Sequence, residues 1–372
     1  MAAARAGRRP DPGDHDADGE GAAAGGSAGM TGVPIAILKT GLVTSVGLTA
    51  PASCAAFRAK LTNPTETRFV DSGGEWIMAH RVALDQPWRG LTKLAKMAAM
   101  AIDEALEGVP KTQWPQLPLI LCVAEKERPG RTRGLDDELF LKIQDELGTR
   151  FAPQSVIVTQ GRVGVAVALL QARTLIDEAK LPRVLIAATD SLLTWPTLSH
   201  YEERERLLTA QNSNGFMPGE GAGALLVGAP ASVADELVCT GIGFAREAAH
   251  INGEEPLRGD GLSQAVRSAL SDAGCEMHDI DFRITDNSGE QYYFKEAALA
   301  LSRTLRKLKP EFDIWHPAEC TGEVGAACGI SIVATAQAGC GKHYTNGPRI
   351  LAHMANDAGQ RAALSLHYRA AA

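Results

Sequence analysis

Ser155–Arg173 reads SVIVTQGRVGVAVALLQAR. Its β-branched run, Val156, Ile157, Val158 and Thr159, predicts a buried strand. Gly161 breaks that run, and Val165 to Arg173 has the length and composition of a buried helix. A strand passing through a tight glycine turn into a helix presents one side chain at a helix N-terminus, where backbone N–H groups and the dipole favour negative charge. Enzymes use that geometry to expose a nucleophile and lower its pKa. This turn holds Gln160, Gly161, Arg162 and Val163, and none of them is a nucleophile. The geometry of a reactive site is predicted without its chemistry.

The flanking sequence repeats the same grammar. Upstream, VPIAILKTGLVTSVG from Val33 predicts a strand, a turn near Gly41 and a second glycine at Gly47, followed by a helix over Ala50 to Ala59. Apolar residues at helical spacing (Leu91, Leu94, Met97, Ala101, Leu106) predict a helix over Trp88 to Leu106. Leu117 to Ala124 reads as a buried strand and Asp136 to Leu147 as an amphipathic helix. Downstream, RVLIAATDS is a buried strand ending at Asp190 and Ser191, then comes a polar loop, then the glycine-dense GFMPGEGAGALLVG. The second half restarts in a similar way, with a strand from Cys239, helices over Gly261 to Ala273 and from about Phe294, another glycine turn into a helix at TGEVGAACGIS, and a closing strand–turn–strand. Strands alternating with helices in two similar halves predict a duplicated α/β architecture with largely parallel sheets. The halves are expected over residues 33–230 and 231–372, after a disordered leader over 1–32 that is too poor in large apolar side chains to offset its chain entropy.

Composition narrows the classes. At 372 residues, with 45% hydrophobic and 22% charged residues, the chain has enough apolar surface for a large core. A net charge of -7 argues against a nucleic-acid binder, and no apolar run reaches membrane-spanning length. Seven scattered cysteines without a C-x-x-C pair fit reduced thiols in a cytoplasm, not a disulfide frame or a metal site. Cys328 and Cys320 read as packing residues, and Glu220 as a structural carboxylate. The glycines around it lack the Lys-Ser/Thr of a phosphate loop. His316 and His353 read as core or loop residues. No cofactor is expected.

Four segments in order carry a family resemblance: GFMPGEGAGALLVG to GF-x-x-GEGAG, TGEVGAACGIS to GHTGAAAGVA, IVTQGRVGVAVALLQA to an active-site-cysteine strand and helix, and VLIAATDSLL to the strand after it. Together they resemble the β-ketoacyl (3-oxoacyl) synthases of the thiolase superfamily, over roughly Val33 to Tyr368. The resemblance implies a thiolase-like fold: two duplicated α/β halves in a five-layered α-β-α-β-α arrangement, usually dimeric through the N-terminal half. It also implies three catalytic positions in one pocket. The family's cysteine falls on Arg162 in an ungapped alignment of the helix, or on Gln160 or Gly161 if the turn differs. Its first histidine falls on Asp286, with Asn287 as the off-by-one choice, its second on Glu323, and its supporting lysine on Ala318. The C-terminal GGTN turn becomes Ala358, Gly359, Gln360 and Arg361.

Each departure removes a step. Arg and Gln cannot form an acyl thioester. Two histidines normally donate hydrogen bonds to a developing enolate and thioester oxygen, and carboxylates in their place repel that charge. No catalytic residue is therefore expected. Arg162, Asp286 and Glu323 would instead form a buried ion cluster or line an open, hydrated pocket. The first functional expectation is an inactive binding or assembly subunit, similar to degenerate ketosynthase-like accessory factors (co-chaperones) of type VI secretion effector loading. The second is a chain-length-factor-like partner of an active ketosynthase, acyl carrier protein then being a further partner. The third is a residual 3-oxoacyl carrier-protein synthase with shifted catalytic residues. The expected partner is a protein, in a homodimer or a heterodimer, and neither nucleic acid nor membrane.

Overall fold

The computed structural model describes residues 32–231 and 235–370. The leader expected over 1–32 lies outside the described residues apart from Gly32. The first half runs β1 (Ile35–Val43), α1 (Ala50–Arg58), β2 (Thr65–Val70), β3 (Trp76–Ala79) and α2 (Gly90–Ala105). It continues through β4 (Leu119–Cys122), α3 (Glu138–Leu147), β5 (Val156–Val158), α4 (Gly164–Asp177), β6 (Arg183–Ser191), α5 (Trp195–Glu202) and β7 (Glu220–Gly228). The second runs β8 (Glu236–Arg246), α6 (Asp260–Ala273), β9 (Phe282–Thr285), α7 (Gln291–Thr304) and β10 (Ile314–Trp315). It ends with α8 (Ala318–Thr321), α9 (Cys328–Gly341), β11 (Arg349–Ala355) and β12 (Gln360–Arg369).

Strand order exposes the duplication. The first half pairs as β1-β7-β6-β4-β5 and the second as β8-β12-β11-β9-β10, and β1 joins β8 by pairing Ile35–Ile37 with Leu237–Cys239. Alternate residues face opposite layers, as a strand requires. Ile120, Ile186, Leu225 and Val227 pack inward on α4 and α9, while Leu119, Leu121, Leu185 and Leu226 pack outward on α2 and α3. Helices α6 and α7 cover the other sheet. The succession is α2/α3, sheet, α4/α9, sheet, α6/α7, the expected five layers.

Several expectations change. The sheets are mixed: β4 is parallel to β5 and β6, and β9 to β10 and β11, but β1–β7, β6–β7, β8–β12 and β11–β12 are antiparallel. The closing strand–turn–strand is a hairpin, and strands joined by a tight turn can only be antiparallel. Gly41 is not a turn but lies inside β1, where a Cβ would collide with the Ala101 carbonyl of α2. β5 is an edge strand rather than a buried one, with Val156 43% exposed. The polar loop after β6 contains α5, capped by Thr194, which packs with Ile77 of the unanticipated β2–β3 hairpin in a small satellite core.

Both middle helices enter through the same device. Single 3₁₀ turns, Gly161–Val163 and Gly325–Ala327, lead into α4 and α9 and open on glycines at φ 52° and 55°. A Cβ on Gly161 would overlap the Glu125 carboxylate, and one on Gly325 that of Asp190. Gly161→Ala is expected to lower stability in urea by about 1–3 kcal/mol beyond Gly148→Ala. Gly148 has φ 64°, but a Cβ placed there would meet nothing within 4 Å, so the difference isolates the contact with Glu125. Equal losses would mean that backbone conformation alone matters.

Candidate functional site

The start of α4 places Arg162 at the junction of the halves, 7% exposed. Its guanidinium donates to Glu323 Oε2 at 2.9 Å, reaches Asp357 Oδ1 at 3.4 Å, and lies 3.7 Å from Asp286 Oδ2. It also covers the Tyr293 ring at 4.5 Å. Asp286 follows β9, Glu323 follows α8, and Asp357 sits in the β11–β12 turn, so three separate connections of the second half converge on one arginine from the first. The structure thus brings together Arg162, Asp286 and Glu323 in an ion cluster, and not in an open pocket.

Other groups complete the cluster. Tyr293 Oη donates to Asp357 at 2.6 Å and Tyr201 Oη at 3.2 Å. Arg206 grips Glu290 at 2.6 and 2.9 Å and Asp357 at 2.7 and 3.1 Å. Arg128 holds Asp190 in a bidentate pair, both bonds 2.6 Å, and Asp190 also accepts from the Ala326 N–H. Glu323 accepts from the Gly325 N–H at 2.8 Å and from Ser288 Oγ at 3.1 Å. Ala318 contributes a small apolar wall, lining a void of about 10 Å³ with Asp286, Glu323 and Cys328. Gln160 lies before the turn, half-buried, and takes no part in these ion pairs. Cys328 is buried with Sγ 3.5 Å from the Arg162 carbonyl, and Cys320 is buried against α1. Glu220 accepts from the Val82 N–H, Ser191 Oγ and Lys93 Nζ, the structural role its sequence suggests.

Burial controls the protonation of this cluster. Desolvation raises the Glu323 carboxyl to about 7, against the opposing pull of Arg162. Desolvation likewise raises Asp286 and Glu125, opposed by Arg162 and Arg128 respectively. Asp357 behaves oppositely: burial pushes it up, but Arg206, Arg162 and the Tyr293 hydrogen bond hold it below the usual carboxylate range. Beside Arg162, Glu323 and Asp357 only about 20 Å³ remains free, room for about one water. A wider groove of about 990 Å³ opens outside, floored by Glu125, Arg206, Glu290 and Asp357. Among the described residues no group of three or more ligand-type side chains is placed to hold a metal ion, and no helix is long and apolar enough to cross a membrane.

Sequence reasoning misses Asp357, although it is the most heavily paired carboxylate of the cluster. The turn motif legible in the sequence begins at Ala358, one residue past it. Arg206, Glu290, Tyr293 and the Arg128–Asp190 pair are missed as well, because nothing in their local sequence signals convergence.

Arg162→Ala should cost about 3–5 kcal/mol, since it strands desolvated carboxyls. A melt unchanged from the parent would show that the cluster contributes nothing. A second expectation follows from Glu323, whose folded value near 7 lies above its ordinary 4.5. The folded chain then holds a proton that the unfolded chain releases, so the contribution of Glu323 is fully present below pH 4.5 and is lost as pH rises through 7. Urea titrations across that range should show this slope, on the order of 1–3 kcal/mol in total, flattened in Glu323→Gln.

No family model matches the chain. Among curated proteins, polyketide beta-ketoacyl synthase 2 of Streptomyces coelicolor is 28% identical over 148 residues, 39% of this chain and 35% of that protein. The match therefore spans about a third of that relative's length. Solved structures agree over nearly the whole chain. The ishigamide ketosynthase/chain length factor superposes with a TM-score of 0.74 at 16% identity, covering 91% of this chain and 100% of that one. A ketosynthase in complex with its chain length factor from Xenorhabdus doucetiae gives 0.72 at 13% identity, covering 91% and 98%. A type II polyketide synthase acyl-carrier protein in complex with its ketosynthase bound to the hexaketide gives 0.75 at 13% identity, covering 91% and 100%. The chain thus has the thiolase-like fold of the β-ketoacyl synthases and chain length factors.

Proposed function

We propose that this chain is a non-catalytic ketosynthase-fold subunit that acts by pairing with a ketosynthase-type protein, in the manner of a chain length factor. One observation carries the reading: Arg162, Glu323 and Asp286, the residues aligned with the catalytic positions of the ketosynthases, interlock with Asp357 in one buried ion cluster. Gly161, next to Arg162 at the elbow, has a positive φ, and the Glu125 carboxylate fills the room a side chain there would need. A decarboxylative step builds negative charge on an enolate. Here the groups facing it are carboxyls, with one arginine already engaged by three of them. The buried thiols of Cys320 and Cys328 are pushed up by desolvation, Cys320 to about 11, so neither is poised as a thiolate.

The assembly half of the proposal rests on β5. Among the described residues this strand at the sheet edge pairs with β4 alone, and Val156 leaves apolar surface beside it. Such an edge invites a strand from another chain unless covered. Two of the structural neighbours are named as ketosynthase and chain length factor together, and a third as an acyl-carrier protein with its ketosynthase, which supports a heterodimer with an acyl carrier protein as a further partner. No observation favours the secretion accessory role.

Incubation with an acyl thioester or a cerulenin-type ketosynthase inhibitor should leave the intact mass unchanged. A stoichiometric adduct lost on Cys320→Ala or Cys328→Ala would restore an acyltransferase. Co-expression with a cysteine-bearing ketosynthase should yield a co-purifying pair that Val156→Asp disrupts while circular dichroism of the chain stays native. Failure of the two to co-purify would refute the assembly role.

A further inference from the structure

A second groove, about 820 Å³ in volume, lies away from the charge cluster, between the β2–β3 hairpin, the segment leading into α2 and the start of α5. Its walls are aromatic and apolar: Phe69 faces Trp195 at 5.7 Å between ring centroids, and Trp88, Leu84 and Leu193 continue the surface. Trp195 is 48% exposed, a large apolar side chain left in water. The rim is basic. Arg68, Arg81 and Arg89 line it, and none has a carboxylate within salt-bridge reach among the described residues. Arg68 instead covers the Phe69 ring at 5.0 Å. Lys93, on the floor, is neutralised by Glu220, and Asp85 is the remaining acid of the lining.

The charge of this groove opposes that of the molecule. The chain carries -7 overall, yet this concavity gathers three arginines without carboxylate partners beside three exposed or half-buried aromatic rings. Arginine and tryptophan together at a concave, desolvatable surface are the usual composition of an energetic centre of recognition. Excess positive rim charge selects anionic partners and steers their approach.

We infer that the groove receives an acidic, extended peptide segment of a protein partner, its carboxylates on Arg68, Arg81 and Arg89 and an aromatic or aliphatic side chain between Trp195 and Trp88. This surface is separate from the β5 edge, so it stands whether or not the chain pairs with a ketosynthase. A second copy of the chain is disfavoured as occupant because its net charge is spread over a folded surface, and it is retained as an outcome of the test.

The test uses the full chain and a fluorescein-labelled pool of short peptides in which Asp or Glu alternates with Leu, Phe or Trp. A matched pool with Lys or Arg for the acids is the control. Anisotropy should report binding of the acidic pool alone. That binding should weaken about tenfold between low and high salt, and by a similar factor in Arg81→Glu/Arg89→Glu. Trp195→Ala should weaken it at unchanged salt dependence, separating the apolar anchor from the charges. Circular dichroism and melting of each variant establish folding, and Arg81→Lys should bind as the parent does if charge is what matters. Equal binding of the basic pool, no binding of the acidic pool, or binding unchanged in Arg81→Glu/Arg89→Glu would overturn the inference. So would a change of oligomeric state on sedimentation of that double variant, since the groove would then belong to a contact between copies.

Discussion

The meeting of α4 and α9 governs this molecule, because both helices start where charge has been taken out of water. Three guanidiniums (Arg128, Arg162, Arg206) face six carboxyls (Glu125, Asp190, Asp286, Glu290, Glu323, Asp357) around a void of about 20 Å³. Six full negative charges could not be held against three positive ones without solvent. Desolvation raises three of the carboxyls, Glu125, Asp286 and Glu323. Burial thus works against a full set of negative charges at this site.

Direction matters as much as charge. Arg162 and Arg206 come from the first half, and their partners Asp286, Glu290, Glu323 and Asp357 from the second. These pairs cross the junction between the halves. A buried ion pair adds little to stability compared with apolar residues of the same volume, but removing one member is expensive. The arrangement therefore ties the two halves into one cooperative unit more than it deepens the energy of either. The glycine turns belong to the same constraint, since Glu125 and Asp190 reach the helix starts only because Gly161 and Gly325 carry no side chain.

Much of the fold is legible in local pattern. The apolar run of β6 marks both ends of that strand, and the spacing of Leu94, Met97 and Ala101 marks α2 to within two residues. Local reading fails where a distant element overrides local preference. Gly41 looks like punctuation and is a contact with α2. Val156 looks buried and lies on an edge. The β2–β3 hairpin has no clean alternation, and its Thr65–Val70 strand is mostly exposed. For the site, Glu323 can be placed from sequence because glycines fix the register of TGEVGAACG, whereas the turns around Arg162 and Asp286 leave Gln160, Gly161 and Asn287 as alternatives. Asp357 and Arg206 cannot be placed, since a carboxylate in a turn and an arginine after a helix are ordinary on a surface. Only the closure of the β11–β12 turn over α5 makes them central.

The cluster also bears on the rigidity of the helix starts. A polar cavity at this place would fill with water and loosen them. Here that volume is packed by long charged side chains whose every pairing constrains two connections at once, and Asp357 alone orders Arg162, Arg206, Tyr201 and Tyr293. On the reading of a pairing subunit, this rigidity is the useful product. The loops around the cluster and the sheet that ends in β5 are held in a single arrangement, so a partner would meet a preformed surface and lose less conformational entropy on docking.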